Sequence, residues 1–299
     1  MVCSAPTCSR RVALTGVAAL ALAARGGQAR QASPTAPDPA RGLLLRMEYH
    51  GGLTPQGFSL LAMPLFSLYA DGTAYGLGAQ IAIYPPPALP PVTRMRIDEI
   101  GVADLVTRAR AIGLGANHEL MDRRIADAPV TVFTFIDGSE RFVTACNIIG
   151  LGVDPDPMWT KADVALLRGL EELAPLLGSL GVTMAPEWIV EAETLPDPER
   201  LQVVAIPAES GAGPLGIPDL AQPALPWPLA TPLADFGTPG APETGVAGAR
   251  CGEVAGEDAA TLVAALRQGH QQTPWTSGGM TWGLYPRPLL PDEIACTAG

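Results

Sequence analysis

The chain has 299 residues and a formal charge of −11 at neutral pH, and it contains 31 prolines and 33 glycines. This length is sufficient for a full hydrophobic core, in one large domain or in one domain with a small appendage. Acidic residues are spread along the chain and no run of basic residues interrupts them. The composition therefore disfavours binding to nucleic acid or to an anionic membrane surface, because both need clustered Lys and Arg.

Residues 1–29 are typical of an export signal. Arg10 and Arg11 precede an apolar run at residues 12–24, which is too short to cross a membrane and has the length of a signal-peptide core. The arginine pair also resembles a twin-arginine signal. We therefore predict a secreted or extracytoplasmic protein, with a flexible tether at residues 30–41 and no membrane span in the mature chain.

The end of this signal resembles the cleavage box of bacterial lipoproteins. Residues 22–27 read LAARGG, and Arg25 stands where the lipid-bearing Cys of such a box would be. Two interpretations remain open. The chain descends from lipoproteins that lost the anchor, or an Ala- and Gly-rich run imitates the box by chance. In both cases we expect no lipid anchor at this position.

The main domain is organised around residues 64–85, an apolar stretch with an Asp-Gly pair at Asp71 and Gly72. Such a pair between alternating strands predicts a β-hairpin with a two-residue type I′ turn. That turn would place Leu68 opposite Tyr75 on one face of the sheet.

A second hairpin is predicted at Asp137-Gly138, where the same turn would place Phe133 opposite Phe142. Further strands are predicted at residues 43–50, 201–206 and 282–285, and helices at residues 98–113, from residue 160 onwards and at residues 257–268.

These elements predict an α+β fold. It consists of an antiparallel sheet built on two Asp-Gly hairpins with packed helices, plus a small disulfide-closed α/β segment at the C-terminus. The predicted organisation is a main domain at residues 42–208, a Pro/Gly-rich linker at residues 209–244 and the C-terminal segment at residues 245–299.

Three cysteines follow the signal segment. Cys251 opens the C-terminal segment and Cys296 closes it, and export to an oxidising compartment favours a disulfide between them. Such a bridge would stabilise a segment that is short for an independent core. Cys146 ends a predicted strand without a neighbouring His in the sequence, so we expect a buried thiol.

No motif for a nucleotide, zinc or calcium, and no nucleophile elbow, occurs in a supporting context, so no metal or cofactor is predicted. The densest polar cluster is the loop from Gly115 to Asp127. His118 and Asp127 of this loop are candidate catalytic residues of an extracytoplasmic hydrolase. The alternative is that the loop only connects two elements.

Two aromatic residues are candidates for ligand binding. Trp275 and Trp282 flank a Ser-Gly-Gly sequence and could form an aromatic wall for a sugar or peptide. Aromatic residues in a small disulfide-closed segment more often form its core.

Several stretches carry a resemblance to other proteins, namely FSLYADG, QIAIYPPPALPP, DAPVTVFTF, ALPWPLATPLADFG, RCGEV, TPWTSGG and RPLLPDE followed by Cys296. In these the chain resembles a group of uncharacterised exported bacterial proteins from GC-rich genomes, many of which carry lipoprotein signals. The resemblance implies export and the Cys251–Cys296 pair, and it implies no activity.

We therefore expect an exported, non-catalytic protein of the cell envelope or the medium, which binds an unidentified protein partner or small ligand. Whether it is an enzyme stays open, and the alternative is the hydrolase that uses residues 115–127.

Overall fold

The structure is a computed structural model. It describes residues 42–52, 57, 59–79, 82–152, 154–155, 157, 159–179, 186–194, 196–208, 223–240 and 245–296. All of these residues belong to one compact unit. The predictions for the signal segment, Arg25 and the tether, and for much of the linker, lie outside the described residues.

The described residues form two sheets and three α-helices. The first sheet contains β1 (Leu43–His50), β2 (Phe66–Tyr69), β3 (Thr73–Leu77), β4 (Val92–Ile97), β5 (His118–Leu120), β6 (Val130–Asp137), β7 (Glu140–Cys146) and β8 (Ile189–Thr194). The second contains β9 (Arg200–Pro207), β10 (Leu225–Pro226), β11 (Thr238–Pro239), β12 (Arg250–Ala255), β13 (Trp275–Ser277) and β14 (Met280–Pro288). The helices are α1 (Glu99–Ile112), α2 (Lys161–Gly178) and α3 (Gly256–Leu266). This content agrees with the predicted α+β class.

The strand order of the first sheet is β5-β7-β6-β1-β2-β3-β4-β8. Its neighbours are antiparallel except for β5 and β7, which are parallel, so the sheet is mixed where the sequence predicted an antiparallel one. Helices α1 and α2 cover one face and contribute buried side chains such as Leu105 and Leu170 to the core of this sheet. We call the opposite face of the first sheet the open face.

Local signals set the ends of the two helices that cover this sheet. The Asp98 side chain accepts a hydrogen bond from the Gly101 N–H at 2.7 Å, and Gly113 ends α1 in the left-handed conformation. Thr160 and Asp163 form a reciprocal capping box at the start of α2. Both helices lie where their sequence patterns predicted them.

The pairing of β2 with β3 differs from the predicted register. Leu68 lies opposite Ala74, and Tyr75 lies on the other face of the sheet. The Gly72 N–H donates to the Tyr69 carbonyl at 3.0 Å and Gly72 has a φ of 82°, so the connection has three residues instead of two. The prediction of Leu68 opposite Tyr75 was wrong, because one extra loop residue moves every β3 side chain to the other face.

The pairing of β6 with β7 also differs from the prediction. Asp137 itself pairs with Glu140, so the two-residue loop begins one position later than expected. Phe133 lies opposite Thr144 and not opposite Phe142. This shift moves the partner by two residues, which keeps each side chain on its predicted face.

The second sheet has the order β10-β13-β14-β9-β12-β11. Strand β9 pairs with both β14 and β12, so the strand predicted at residues 201–206 lies in the centre of this sheet. Helix α3 packs on one face, where Leu201, Leu262 and Trp275 share a buried cluster. The predicted disulfide between Cys251 and Cys296 is present and links β12 to the residues after β14.

The residues that follow β14 contact the open face of the first sheet. Leu290 packs with Tyr69 of β2 and Val92 of β4 in a buried cluster. Within the described part of the chain, we find no helix that combines the length and the apolar character needed to cross a membrane.

Candidate functional site

The open face carries charged side chains on β4 and β8, at the edge of the sheet where β8 lies. In β4, Met95 is buried in the core beneath the helices, and Arg94 and Arg96 on either side of it are more exposed. Because side chains alternate along a strand, both arginines project from the open face. In β8, Glu191 and Glu193 share one face for the same reason.

Strand pairing brings these side chains together. Each row crosses three adjacent strands, and opposite charges face each other in both rows. The rows are Tyr75–Arg94–Glu193 and Thr73–Arg96–Glu191. Directly opposed side chains of opposite charge attract each other, so the pairing register itself creates an ordered polar surface.

The two rows surround a depression on the open face, which we call the polar depression. Its volume is about 190 Å³, and Asp71 and Met95 complete its lining. In the first row, Arg94 Nη2 lies 2.5 Å from Glu193 Oε2, with both side chains about half exposed. The Tyr75 ring also packs edge-on against the Tyr69 ring, with the ring centres 5.9 Å apart.

The second row is different. Arg96 and Glu191 are directly opposed residues, yet neither side chain makes a hydrogen bond or a close ion pair among the described residues. Glu191 is attracted only at longer range, by the charge of Arg94. The polar depression thus offers one guanidinium group and one carboxylate for interactions with a ligand. A guanidinium group suits a carboxylate or phosphate, and a carboxylate suits an ammonium or guanidinium group.

A buried network lies next to the polar depression. Arg46 of β1 donates to Ser67 Oγ at 2.9 Å and to Asp292 Oδ1 at 2.7 Å. Tyr69 Oη donates to the same Asp292 oxygen at 2.5 Å. Burial raises the pKa of Tyr69 well above its ordinary value. The Arg46 charge opposes this shift, and the Asp292 carboxylate adds to it. The network holds the C-terminal residues against the open face.

The structure does not join the predicted catalytic residues. His118 lies on β5, and its Nε2 atom is 3.1 Å from the Gly113 carbonyl oxygen. Asp127 is exposed and has a φ of 58°. No hydrogen bond or ion pair links the two side chains within the described residues. The hydrolase therefore stays a prediction without a contact to support it.

The tryptophan candidates lie in the core of the second sheet. Trp275 and Trp282 pair across β13 and β14 and are 1% and 3% exposed. Their positions correspond to the alternative interpretation, in which they form the core.

A reactive cysteine and a metal centre are the remaining candidates for a chemical function. Burial raises the pKa of the Cys146 thiol, which lies in the core of the first sheet. Among the described residues, no group of three or more His, Cys, Asp or Glu side chains is placed to hold a metal ion.

Sequence reasoning did not single out the residues of the polar depression. The alternations Arg-Met-Arg in β4 and Glu-Ala-Glu in β8 are visible in the sequence and are typical of strands with one polar face. Nothing local shows that these two segments, which lie almost a hundred residues apart, become neighbours.

Comparison with protein families finds no matching family model, and comparisons with curated proteins and with solved structures return no match.

Proposed function

We propose that this chain is an exported, non-catalytic protein that binds a partner or a small ligand through the polar depression. The observation that carries the proposal is the arrangement of Arg96 and Glu191. Their side chains stand on opposed residues of β4 and β8, are exposed, and make no hydrogen bond or ion pair among the described residues.

The charges of the depression limit the chemistry of its ligand. The cationic and anionic groups of the second row stand on adjacent strands, which lie about 4.8 Å apart. A ligand that carries both an acidic and a basic group satisfies the two side chains at once. The Arg94–Glu193 pair beside them is already satisfied internally and supports the geometry of the row.

Two features support export. Residues 1–29 have the pattern of a signal segment, and the Cys251–Cys296 disulfide is typical of proteins that fold in an oxidising compartment. The resemblance to exported bacterial proteins, many with lipoprotein signals, is consistent with both.

The experiment is a thermal-shift screen of the full chain, exported by a bacterial host, against amino acids, short peptides, sugars and cell-wall fragments. A ligand at one hundred times its dissociation constant adds about 2.7 kcal/mol to the stability, which raises the melting temperature measurably. Hits are then titrated against the variants Arg96→Gln and Glu191→Gln. We expect each variant to weaken binding at least tenfold.

The matched controls are Arg168→Gln and Glu172→Gln. Both residues are exposed on α2, on the helical side of the sheet, and the substitutions change the net charge by the same amounts. We expect the controls to bind as the native chain does. Hits that bind equally to all four variants would contradict the proposal.

The hydrolase alternative is tested separately. If a hydrolytic activity is found, His118→Ala and Asp127→Ala should each abolish it. An activity that survives both substitutions would exclude these residues.

A further inference from the structure

We propose that the outer edge of β8 binds an extended, basic segment of another protein as an added strand. The inference rests on the proposed function, because Glu191 and Glu193 of β8 also line the polar depression.

Strand β8 is the last strand of the first sheet among the described residues. It pairs with β4 on one side, and no described residue pairs with its other side. In a strand, every second residue directs its N–H and C=O groups towards the same side. Such an edge is a template for an incoming strand, whose main-chain hydrogen bonds provide affinity.

The charge pattern of β8 favours a basic partner. Strand β4, on the inner side of β8, shows which kind of sequence pairs with it. Its residues Arg94, Met95 and Arg96 lie opposite Glu193, Ala192 and Glu191. A second strand of the type cation-apolar-cation can face the same three residues from the outer side. Opposite charges directly across a strand pair are stabilising. Glu191 forms no close ion pair among the described residues, although the neighbouring Arg94 charge attracts it.

The other face of β8 fits the same partner. Ala192 is exposed there, and Val190 beside it is 66% exposed. An apolar side chain between the two cations of the incoming strand would cover this surface. Val190 lies at a bulge in the pairing with β4, so the regular part of the edge runs from Glu191 to Thr194.

A second copy of this chain is a poor occupant of the same edge. Two antiparallel β8 strands would bring glutamates of one chain against glutamates of the other, and like charges directly opposed are destabilising. The net charge of −11 adds a general repulsion between copies. The edge therefore selects a basic partner over self-association.

The probe is a blocked, fluorescent hexapeptide in which arginine and valine alternate, titrated into the full, oxidised chain. We expect saturable binding, at least tenfold weaker binding to Glu191→Gln, and a smaller loss for Glu193→Gln, because the Glu193 carboxylate already pairs with Arg94. Glu171→Gln and Glu172→Gln on α2 are the matched charge controls and should bind the peptide as the native chain does. Circular dichroism confirms that all four variants are folded.

Two measurements separate strand addition from simple charge attraction. A peptide of the same sequence that is methylated at every backbone nitrogen keeps its charges but cannot donate to β8, and we expect at least tenfold weaker binding. Amide hydrogen exchange should slow in residues 189–194 when the unmethylated peptide binds. Equal binding of the methylated peptide, or unchanged exchange in β8, would overturn the inference.

The outcomes also distinguish the inference from the proposed function. If the hexapeptide does not bind, β8 is an edge protected by its charges and its bulge, and the inference is wrong. A small ligand that still loses affinity in Arg96→Gln would then leave the proposed function intact. If neither small ligands nor the peptide respond to substitutions in the depression, both proposals fail together.

Discussion

Arg46 Nη2 lies 2.7 Å from Asp292 Oδ1, although 246 residues separate the two in the sequence. The Arg46 side chain is only 10% exposed and sits on β1, in the first sheet. Asp292 follows β14 of the second sheet. This ion pair, together with the Tyr69 hydroxyl, fixes the residues after β14 to the open face beside the polar depression.

Removal of the Asp292 carboxylate should therefore be costly. We expect Asp292→Ala to lower the free energy of unfolding by about 3 kcal/mol, because the Arg46 charge would remain buried without its partner. Urea unfolding of the oxidised chain measures the change. In the control Asp197→Ala, which breaks an exposed ion pair with Arg267, we expect a loss below about 1 kcal/mol. Equal losses would show that the Arg46 pair contributes no more than a surface pair.

The Cys251–Cys296 disulfide should stabilise the folded chain, because it restricts the loop between the two cysteines in the unfolded state. Its cysteines are 45 residues apart. On the chain-entropy model, a loop of this length is worth about 4 kcal/mol. We expect the double variant Cys251→Ser, Cys296→Ser to lose about 3 to 4 kcal/mol in urea unfolding. Reductant should destabilise the native chain and leave the double variant unchanged. A native chain that is insensitive to reductant under denaturing conditions would contradict the pairing.

Stability should fall in acid, because several carboxyl groups among the described residues have lowered pKa values in the folded chain, as three of them illustrate. Hydrogen bonds from the Arg110 side chain lower the pKa of Asp137, those from Arg124 lower the pKa of Asp122, and those from Thr160 lower the pKa of Asp163.

A carboxyl group with a lowered folded-state pKa stabilises the fold above its unfolded pKa, which is about 3.9 for Asp. That contribution is lost as the pH falls through the folded-state pKa. Urea unfolding should thus give a nearly constant free energy from pH 7 to about pH 5 and a decline below about pH 4. Asp163→Asn should make this decline shallower. A free energy that rises on acidification would contradict the prediction.

Two glycines near β11 should tolerate a methyl group very differently. A Cβ atom on Gly237 would lie 2.0 Å from the Cys251 carbonyl oxygen, and the residue has a φ of 53°. Gly240 has a φ of 84°, and apart from its two chain neighbours no described residue has an atom within 4 Å of the position that a Cβ atom would occupy there. We expect Gly237→Ala to cost at least about 3 kcal/mol, because the backbone of β12 must move. Gly240→Ala should cost about 1 kcal/mol, from its left-handed backbone alone. Similar losses in thermal unfolding would contradict the predicted contact.

Elements with local signals could be predicted well. The helix expected at residues 98–113 is α1 (Glu99–Ile112), because Asp98 and Gly113 carry the capping interactions themselves. The capping box at Thr160 likewise marks the start of α2, and the Cys251–Cys296 disulfide followed from the small number of cysteines.

Registers and edge strands could not be predicted in the same way. The turn at Gly72 depends on backbone angles that an Asp-Gly pair favours but does not impose. The predicted loop length and the predicted face of Tyr75 were therefore wrong. Strands β4 and β8, which carry the arginines and glutamates of the polar depression, were not predicted at all. Short strands of mixed polarity have weak periodicity, and their pairing is determined by the rest of the sheet.

The sequence by itself determined the helix ends, the α+β class and the disulfide, because each depends on residues close together in the chain or on a single pair of cysteines. Only the tertiary structure decided which residues form the polar depression and the exposed edge of β8. Arg96 and Glu191 become opposed residues because eight strands pair in one order and register. That order minimises the free energy of the whole sheet, and no segment of the sequence encodes it alone.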